Sequence, residues 1–260
     1  MVNSVINFHH VSKQYVKQRL RYGMLSETIG RLFINDHSGK AGSRSAGQQS
    51  TINHNVIKAL DNVSFDINKG EALGIIGPNG AGKSTILKLI SKVTVPDSGQ
   101  VTANGKIGAL IELGAGLHPE LTGRENIFLY GAILGMKKQE VEAKFEDIVA
   151  FAEIKELLDM PIKRYSSGMY ARLGFAVAVQ MEPDILLIDE VLAVGDESFQ
   201  KKCFAKMKQA KNKGITVVFV SHNLDWIKLI CDRVLLIQHG KIIADRSPWR
   251  AISAYHSISS

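Results

Sequence analysis

Apolar and polar positions alternate along this chain in a way that separates short strands from helices. Short apolar runs typical of buried strands occur at 72–77, 106–113, 185–189, 215–220 and 234–243. Two earlier segments, 5–11 and 63–68, also have strand character, and the second alternates apolar with polar residues as a half-buried strand does. Because buried strands separated by helical segments are typical of parallel sheets, the pattern predicts an α/β fold.

Residues 122–160 differ from the strand-rich parts of the chain and are predicted to be mainly helical. Thr122 and Glu125 have the spacing of a capping box, which marks a helix start. An apolar stripe at helical spacing follows, formed by Val141, Phe145, Ile148 and Val149. We interpret this stripe as core packing, so the block is predicted to form a helical layer beside the sheet.

The segment 17–50 lies between the two early strands. Its first part, 18–33, spaces apolar residues as an amphipathic helix does, although Gly23 and Gly30 weaken the pattern. Its second part, 37–50, is rich in Gly, Ser and Gln and indicates a flexible linker. The segment is therefore predicted to be an insertion with one helix.

The positive charge is concentrated around this insertion. The formal net charge of the chain is +7, and residues 13–44 contain seven Lys or Arg against two Asp or Glu, which gives 7 − 2 = +5. Such a segment suits an anionic partner, either nucleic acid or the cytoplasmic face of a membrane. The alternative is a solvated helix packed on its own domain.

Composition restricts the cellular setting. No apolar run approaches the roughly 20 residues of a membrane span, and the first residues lack the pattern of a signal peptide. The two cysteines, Cys203 and Cys231, form no metal-binding or redox motif. They are typical of buried thiols in a reducing compartment, so we expect a cytoplasmic location.

Residues 77–84, GPNGAGKS, follow an apolar strand and open a predicted helix. This is the context that a phosphate-binding loop requires. Glycines let the backbone N–H groups turn toward phosphate oxygens, the lysine supplies positive charge and the serine hydroxyl can ligate Mg²⁺. The predicted nucleotide contacts are Gly77, Pro78, Asn79, Gly80, Ala81, Gly82, Lys83, Ser84 and Thr85. The alternative is a glycine-rich turn without a ligand.

Two acidic residues end the strand at 185–189. Asp189 is predicted to lie beside the phosphate loop and to bind Mg²⁺ through water. Glu190 is the candidate general base that polarises the attacking water. His222 follows another apolar strand and can contact the γ-phosphate or orient that water. The alternatives are a helix cap for the acids and a structural role for the histidine.

These motifs, in this order, resemble the ATP-binding cassette (ABC) ATPases. The phosphate loop GPNGAGKS, the turn YSSGM at 165–169 followed by ARLGFAVA, the segment LLIDE and Ser221-His222 together carry the resemblance. It implies a P-loop NTPase cassette with a RecA-like parallel sheet core, an antiparallel β subdomain and a helical subdomain at 114–165. It further implies one ABC ATPase domain over 1–260, with ATP and Mg²⁺ as cofactors.

The resemblance also implies a head-to-tail homodimer in which each ATP lies between the phosphate loop of one chain and the YSSGM turn of the other. Ser166, Ser167 and Gly168 would then contact the partner's ATP. Asp196, in AVGD at 193–196, would belong to a loop that crosses the dimer interface. Tyr15 stands where the family stacks an aromatic ring on adenine.

Two departures from the family pattern stand out. Tyr165, Ser167 and Met169 replace the usual Leu, Gly and Gln of the turn, which raises the prospect of slower hydrolysis. The glutamine usual after the strand at 106–113 is missing, and Glu112 or Leu113 occupies its place. The role of a metal-sensing glutamine is therefore in doubt here.

The segment ELGAGLHPELTGREN at 112–126 resembles the branch of the family that exports O-antigen, capsule and teichoic acid. The basic N-terminal insertion is likewise a feature of that branch, where it resembles a helix at the membrane interface. The chain ends soon after the hairpin around 234–243, so we expect no C-terminal carbohydrate-binding domain.

The expected function is therefore the ATPase subunit of a polysaccharide exporter at the cytoplasmic face of the cell membrane. The expected partners are a second copy of the chain and two integral-membrane permease subunits, with a lipid-linked polysaccharide reached through the permease. One alternative is a subunit of another ABC transporter, such as a drug or lipid exporter or an importer. The other is a non-transport ABC ATPase acting on nucleic acid.

Overall fold

The computed structural model describes residues 4–16, 56–111, 114, 116–189 and 195–259. The predicted N-terminal insertion at 17–50, Glu112, Leu113 and the candidate base Glu190 lie outside the described residues. The predictions made for them stay predictions.

Two sheets form the framework of the described chain. A three-stranded antiparallel sheet has the order β2-β1-β4, with β1 at Ser4–Val16, β2 at Val56–Asn68 and β4 at Ser98–Ala103. A six-stranded sheet has the order β5-β6-β7-β3-β8-β9. Its strands are β3 (Ala72–Ile76), β5 (Ile107–Leu110), β6 (Ile185–Ile188), β7 (Thr216–Val220), β8 (Arg233–Gln238) and β9 (Lys241–Arg246). Within the described part of this six-stranded sheet, the strands run parallel except at the edge, where β9 pairs antiparallel with β8, so the predicted parallel sheet is confirmed.

Seven α-helices are described around these sheets. They are α1 (Lys83–Ile90), α2 (Gly123–Ile133), α3 (Lys138–Ala152), α4 (Ser167–Val179), α5 (Glu197–Asn212), α6 (Leu224–Ile230) and α7 (Pro248–Ser259). Short 3₁₀ turns at Lys155–Leu157 and Ile162–Arg164 connect α3 to α4.

The core lies on both faces of the six-stranded sheet. Every residue of β3, β6 and β7 is buried, which explains why these strands read as continuous apolar runs rather than alternating ones. One face packs with α1 and the antiparallel sheet, and the other packs with α2 to α7. The parallel strands therefore end at one common edge, where loops can meet a ligand.

The helical layer is built by α2, α3 and the start of α4. The predicted capping box is confirmed, because Thr122 accepts from the N–H of Glu125 and Glu125 accepts from the N–H of Thr122. The predicted stripe on α3 is buried at Val141, Ile148 and Val149, while the partly buried Phe145 stacks on Phe128 with ring centroids 5.7 Å apart. The stripe is thus core packing, as expected.

Candidate nucleotide-binding site

The phosphate loop connects β3 to α1 at the carboxyl edge of the sheet, as predicted. Two of its glycines are required by close backbone contacts. A Cβ at Gly77 would lie 2.0 Å from the carbonyl oxygen of Ile237, and a Cβ at Gly82 would lie 2.3 Å from that of Ala59. Both glycines also have positive φ, at 150° and 109°. The loop is therefore tightly seated against β8 and β2, which fixes its shape before a ligand binds.

Lys83 is the first residue of α1 and is held inside the loop. Its side chain is only 6% exposed, and its Nζ donates to the carbonyl oxygens of Gly77 at 2.9 Å and Pro78 at 3.1 Å. No side chain caps the N-terminus of α1, where the residue at the cap position is Gly82. A positive charge and helix N–H groups thus converge on the same place, which suits a phosphate.

A cavity of about 560 Å³ opens beside the loop. It brings together six predicted contact residues of the loop with Tyr15 and Asp189. Its lining residues are Tyr15, Ile57, Ala59, Asn79, Gly80, Gly82, Lys83, Ser84, Thr85, Ile111 and Asp189. Its volume and its mixed polar and apolar lining suit a nucleotide, with the phosphates at the loop and the base toward Tyr15.

The apolar end of this cavity includes residues that the sequence did not single out. Ile57 lies directly across from Tyr15 in the β1–β2 ladder, and Ala59 follows on the same strand. Ile111, just after β5, completes that lining. The register of β1 with β2 places Tyr15 and Ile57 side by side, so a planar base can pack against both.

Ser84 and Asp189 both line the cavity, as their predicted role as metal ligands requires. Asp189 follows β6, where its N–H donates to the carbonyl of Leu110 at 3.3 Å. No group of three or more His, Cys, Asp or Glu side chains arranged for a metal exists in the described part of the chain. One hydroxyl and one carboxylate form the sparse donor set that suits Mg²⁺, which keeps waters and substrate phosphates as its remaining ligands.

His222 lies at the same edge of the sheet, because β7 runs between β6 and β3. It is exposed and is not among the residues that line the cavity. Neighbouring Asn223 caps α6 by accepting from the N–H groups of Asp225 and Trp226. The topology therefore places the histidine near the loop, while its contact with a phosphate stays a prediction.

The YSSGM turn lies apart from this cavity. Ser166 is the N-cap of α4, and its Oγ accepts from the N–H of Met169 at 3.2 Å. Ser166 and Ser167 are exposed, and the nearest atom to a Cβ built at Gly168 is the Ser166 Oγ, 3.9 Å away. The start of α4 is thus an open helix N-terminus with hydroxyl groups, and it does not line the cavity of its own chain.

Asp196 is the N-cap of α5 and accepts from the N–H of Phe199 at 2.9 Å and from Ser198 Oγ at 2.7 Å. These two hydrogen bonds, together with the charge of Arg172, hold the pKa of its carboxyl below the usual range. Arg172 lies on α4, so an ion pair of 2.7 Å joins the helix of the YSSGM turn to the start of α5. This ion pair was not predicted from the sequence.

Comparison with known proteins identifies the family of the chain. The family model described as "ABC transporter" matches residues 60–193. The chain belongs to the ABC transporter family. This family membership confirms the predicted recognition and ATPase activity and implies ATP as the nucleotide, and the predicted fold class is confirmed by the solved structures described next.

Relatives of this ABC protein share most of its length. It is 44% identical to the O-antigen export system ATP-binding protein RfbB of Klebsiella pneumoniae over 254 residues, which cover 98% of both chains. It is 43% identical over 240 residues to the teichoic acids export ATP-binding protein TagH of Listeria monocytogenes, covering 92% of this chain and 66% of that one.

Solved structures show the same fold at low sequence identity. A dimeric ATP-binding cassette in a post-hydrolysis state with ADP and Pi matches with a TM-score of 0.68 at 23% identity, covering 94% of this chain and 98% of the other. An ATP-binding subunit of an ABC transporter matches with a TM-score of 0.73 at 21% identity, covering 97% and 94%. Within the described residues, no helix of this ABC protein is both long and apolar enough to cross a bilayer.

Proposed function

We propose that this chain is the ATP-hydrolysing subunit of an exporter that moves a lipid-linked polysaccharide of the O-antigen, capsule or teichoic-acid type across the cell membrane. The observation that carries the proposal is the 44% identity over 98% of both chains with an O-antigen export ATP-binding protein. The cavity at Lys83 and Asp189 supports the ATP-dependent part, because it combines a phosphate loop with an apolar end for the base.

In this proposal each chain holds one ATP. Tyr15 stacks on adenine, and the loop N–H groups with Lys83 bind the phosphates. Ser84 and Asp189 would hold Mg²⁺, which supplies charge neutralisation at the transferring phosphate. Glu190 draws a proton from the attacking water, and His222 orients that water or contacts the γ-phosphate.

The ATP is enclosed by a second copy of the chain. The open N-terminus of α4 supports this role, because Ser166 and Ser167 are exposed and neither they nor Gly168 line the chain's own cavity. Asp196 would lie in the loop between the two copies, where Arg172 fixes its carboxylate. Binding of ATP then closes the dimer, and hydrolysis reopens it.

The assembly would work at the cytoplasmic face of the membrane with two permease subunits. The two relatives described above support this, since each is the ATP-binding protein of an export system. The basic insertion at 17–50 would contact lipid near the entry point of the polymer, because apolar residues beside arginines suit an anionic surface.

The proposal is tested by replacing the chromosomal gene with a Lys83→Ala variant and, as a matched control, a Lys208→Ala variant on the exposed side of α5. We expect the Lys83 variant to lose surface polysaccharide and to accumulate it inside, while the control exports normally. Copurification of the tagged chain from membranes should yield a multispan partner. Normal surface polysaccharide in the Lys83 variant would contradict the proposal.

A further inference from the structure

A tyrosine of the helix that begins at the YSSGM turn reaches the loop that follows β5. The phenol of Tyr170 donates to the carbonyl oxygen of Gly114 at 2.8 Å, across 56 positions of sequence. A Cβ built at Gly114 would lie 2.2 Å from the Tyr170 ring, and Gly114 has a positive φ of 84°. This contact therefore requires both a glycine and the full tyrosine ring in place.

Gly114 is held from a second side by α2. Tyr130 on α2 is only 2% exposed. Burial raises the pKa of the Tyr130 phenol, and a hydrogen bond with the Gly114 backbone opposes that shift. A second glycine of the loop, Gly116, packs against the same helix, since a Cβ there would lie 2.9 Å from Ile133 Cδ1. Two helices of the helical layer thus fix the loop around Gly114.

The next stretch of the loop is fixed by Asn126, which is completely buried on α2. Its Oδ1 accepts from the N–H of His118 at 2.7 Å, and its Nδ2 donates to the carbonyls of His118, Leu121 and Thr122. A buried amide with all its groups bonded in this way holds backbone firmly. Residues 118–122 are therefore held by the helical layer and should move with it.

Each end of the Tyr170–Gly114 contact leads to a different ATP site. Ile111, three positions before Gly114, lines the chain's own cavity. Tyr170 lies in the first turn of α4, where its N–H donates to the carbonyl of Ser166 at 2.9 Å. A single hydrogen bond therefore links Gly114, three positions after a residue of the chain's own cavity, to the helix whose first turn contacts the partner's ATP in the proposed dimer.

We propose that Tyr170 is a positioning residue that couples these two sites, so that the nucleotide in a chain's own cavity sets the placement of the turn it lends to its partner. The proposal rests on the dimeric ATPase proposed above. Tyr170 does not line the chain's own cavity; it acts by holding the backbone of Gly114 in register with Ser166.

The chain offers a matched control for a test. Tyr165 precedes Ser166 directly, and its phenol donates to the carbonyl of Leu157 at 2.8 Å. Both tyrosines are partly buried and both donate one hydrogen bond of equal length to a backbone carbonyl. The Tyr165 bond stays within the helical layer and does not reach the β5 loop. Removing either hydroxyl should therefore cost similar stability.

The experiment compares Tyr170→Phe with Tyr165→Phe in the full chain. For Tyr170→Phe we expect kcat to fall about fivefold, as loss of one neutral hydrogen bond at the transition state implies. The Hill coefficient for ATP should fall toward that of independent sites. The affinity for a fluorescent ATP analogue and the KM should change less than about twofold. Thermal unfolding should shift equally in both variants, and the loss of cooperativity should be larger in Tyr170→Phe than in Tyr165→Phe.

Gly114→Ala is a second variant, because its Cβ displaces the Tyr170 ring. We expect it to reproduce the loss of cooperativity with the nucleotide affinity retained. Wild-type kcat and cooperativity in Tyr170→Phe would overturn the coupling role, as would an equal loss in Tyr165→Phe. A wild-type rate that shows neither cooperativity nor dependence on protein concentration would instead overturn the dimeric mechanism, and the coupling with it.

Discussion

Replacing Gly168 by aspartate should affect the stability of the chain and its ATP hydrolysis as a dimer in opposite directions. Gly168 is the second residue of α4, its φ lies outside the left-handed region, and a Cβ there meets only the Ser166 Oγ at 3.9 Å. The first turn of α4 contains no acidic residue. An aspartate at this place is therefore accommodated in the free chain.

The two expected effects have opposite signs. Removing a helical glycine and adding an acid to the first turn should together stabilise the fold by about 0.5–1.5 kcal/mol. In a chain of this size that raises Tm by roughly 2–5 °C. In the proposed dimer, the carboxylate would face the partner's γ-phosphate. At about 5 Å and an effective dielectric constant near 20, the repulsion is about 3 kcal/mol per unit of phosphate charge, or more than 100-fold in rate.

The assay combines steady-state phosphate release, thermal unfolding and binding of a fluorescent ATP analogue. We expect Gly168→Asp to bind the analogue like the wild type, because Gly168 does not line the chain's own cavity. Gln139→Asp is the matched control, since it places the same acid at the second position of α3 on an exposed surface. It should keep full activity. A Gly168→Asp variant that hydrolyses ATP at the wild-type rate would refute the role of this turn.

Three further expectations follow from the same structure. In urea titrations above pH about 5, the free energy of unfolding should be lower for Asp196→Asn than for the wild type. Because hydrogen bonds and Arg172 depress the pKa of the Asp196 carboxyl, this difference should disappear as pH falls below about 4. A difference that does not depend on pH would contradict the charge-based cause. Burial raises the pKa of the Cys203 and Cys231 thiols to about 12. Neither thiol should therefore react with Ellman's reagent at pH 8 until the chain is unfolded in urea. Rapid reaction in the native state would show that these sites open easily. Deletion of residues 17–50 should spare ATP binding yet impair export, and normal surface polysaccharide in cells that carry the deletion would remove the proposed membrane role of the insertion.

The parts of the site that could be predicted from the sequence are those that depend on residues close together along the chain. The phosphate loop could be found because a glycine-rich motif follows the short apolar strand Ala72–Ile76. The positions of Asp189 and His222 could be found because each follows a short apolar strand. The capping box at Thr122 was found for the same reason. These features depend on neighbours in sequence, and the structure preserves them.

The parts that escaped prediction depend on distant contacts. The strand β4 was missed because its residues are partly or fully exposed and carry little apolar pattern. Ile57 joins the cavity only through the register of β2 with β1, across the long insertion. The Tyr170–Gly114 and Arg172–Asp196 contacts join separate elements, and no spacing pattern within one sequence predicts such contacts.

The central claim, that ATP is held between two copies of the chain, is tested most directly by sedimentation velocity of a Glu190→Gln variant with and without Mg·ATP. Loss of the candidate base should let ATP remain bound, so we expect a species of twice the chain mass to appear only when ATP is present. Adding Gly168→Asp to this variant should abolish that species. A Glu190→Gln chain that binds ATP yet sediments as a single copy at every protein concentration, or that hydrolyses ATP at the wild-type rate, would contradict the account.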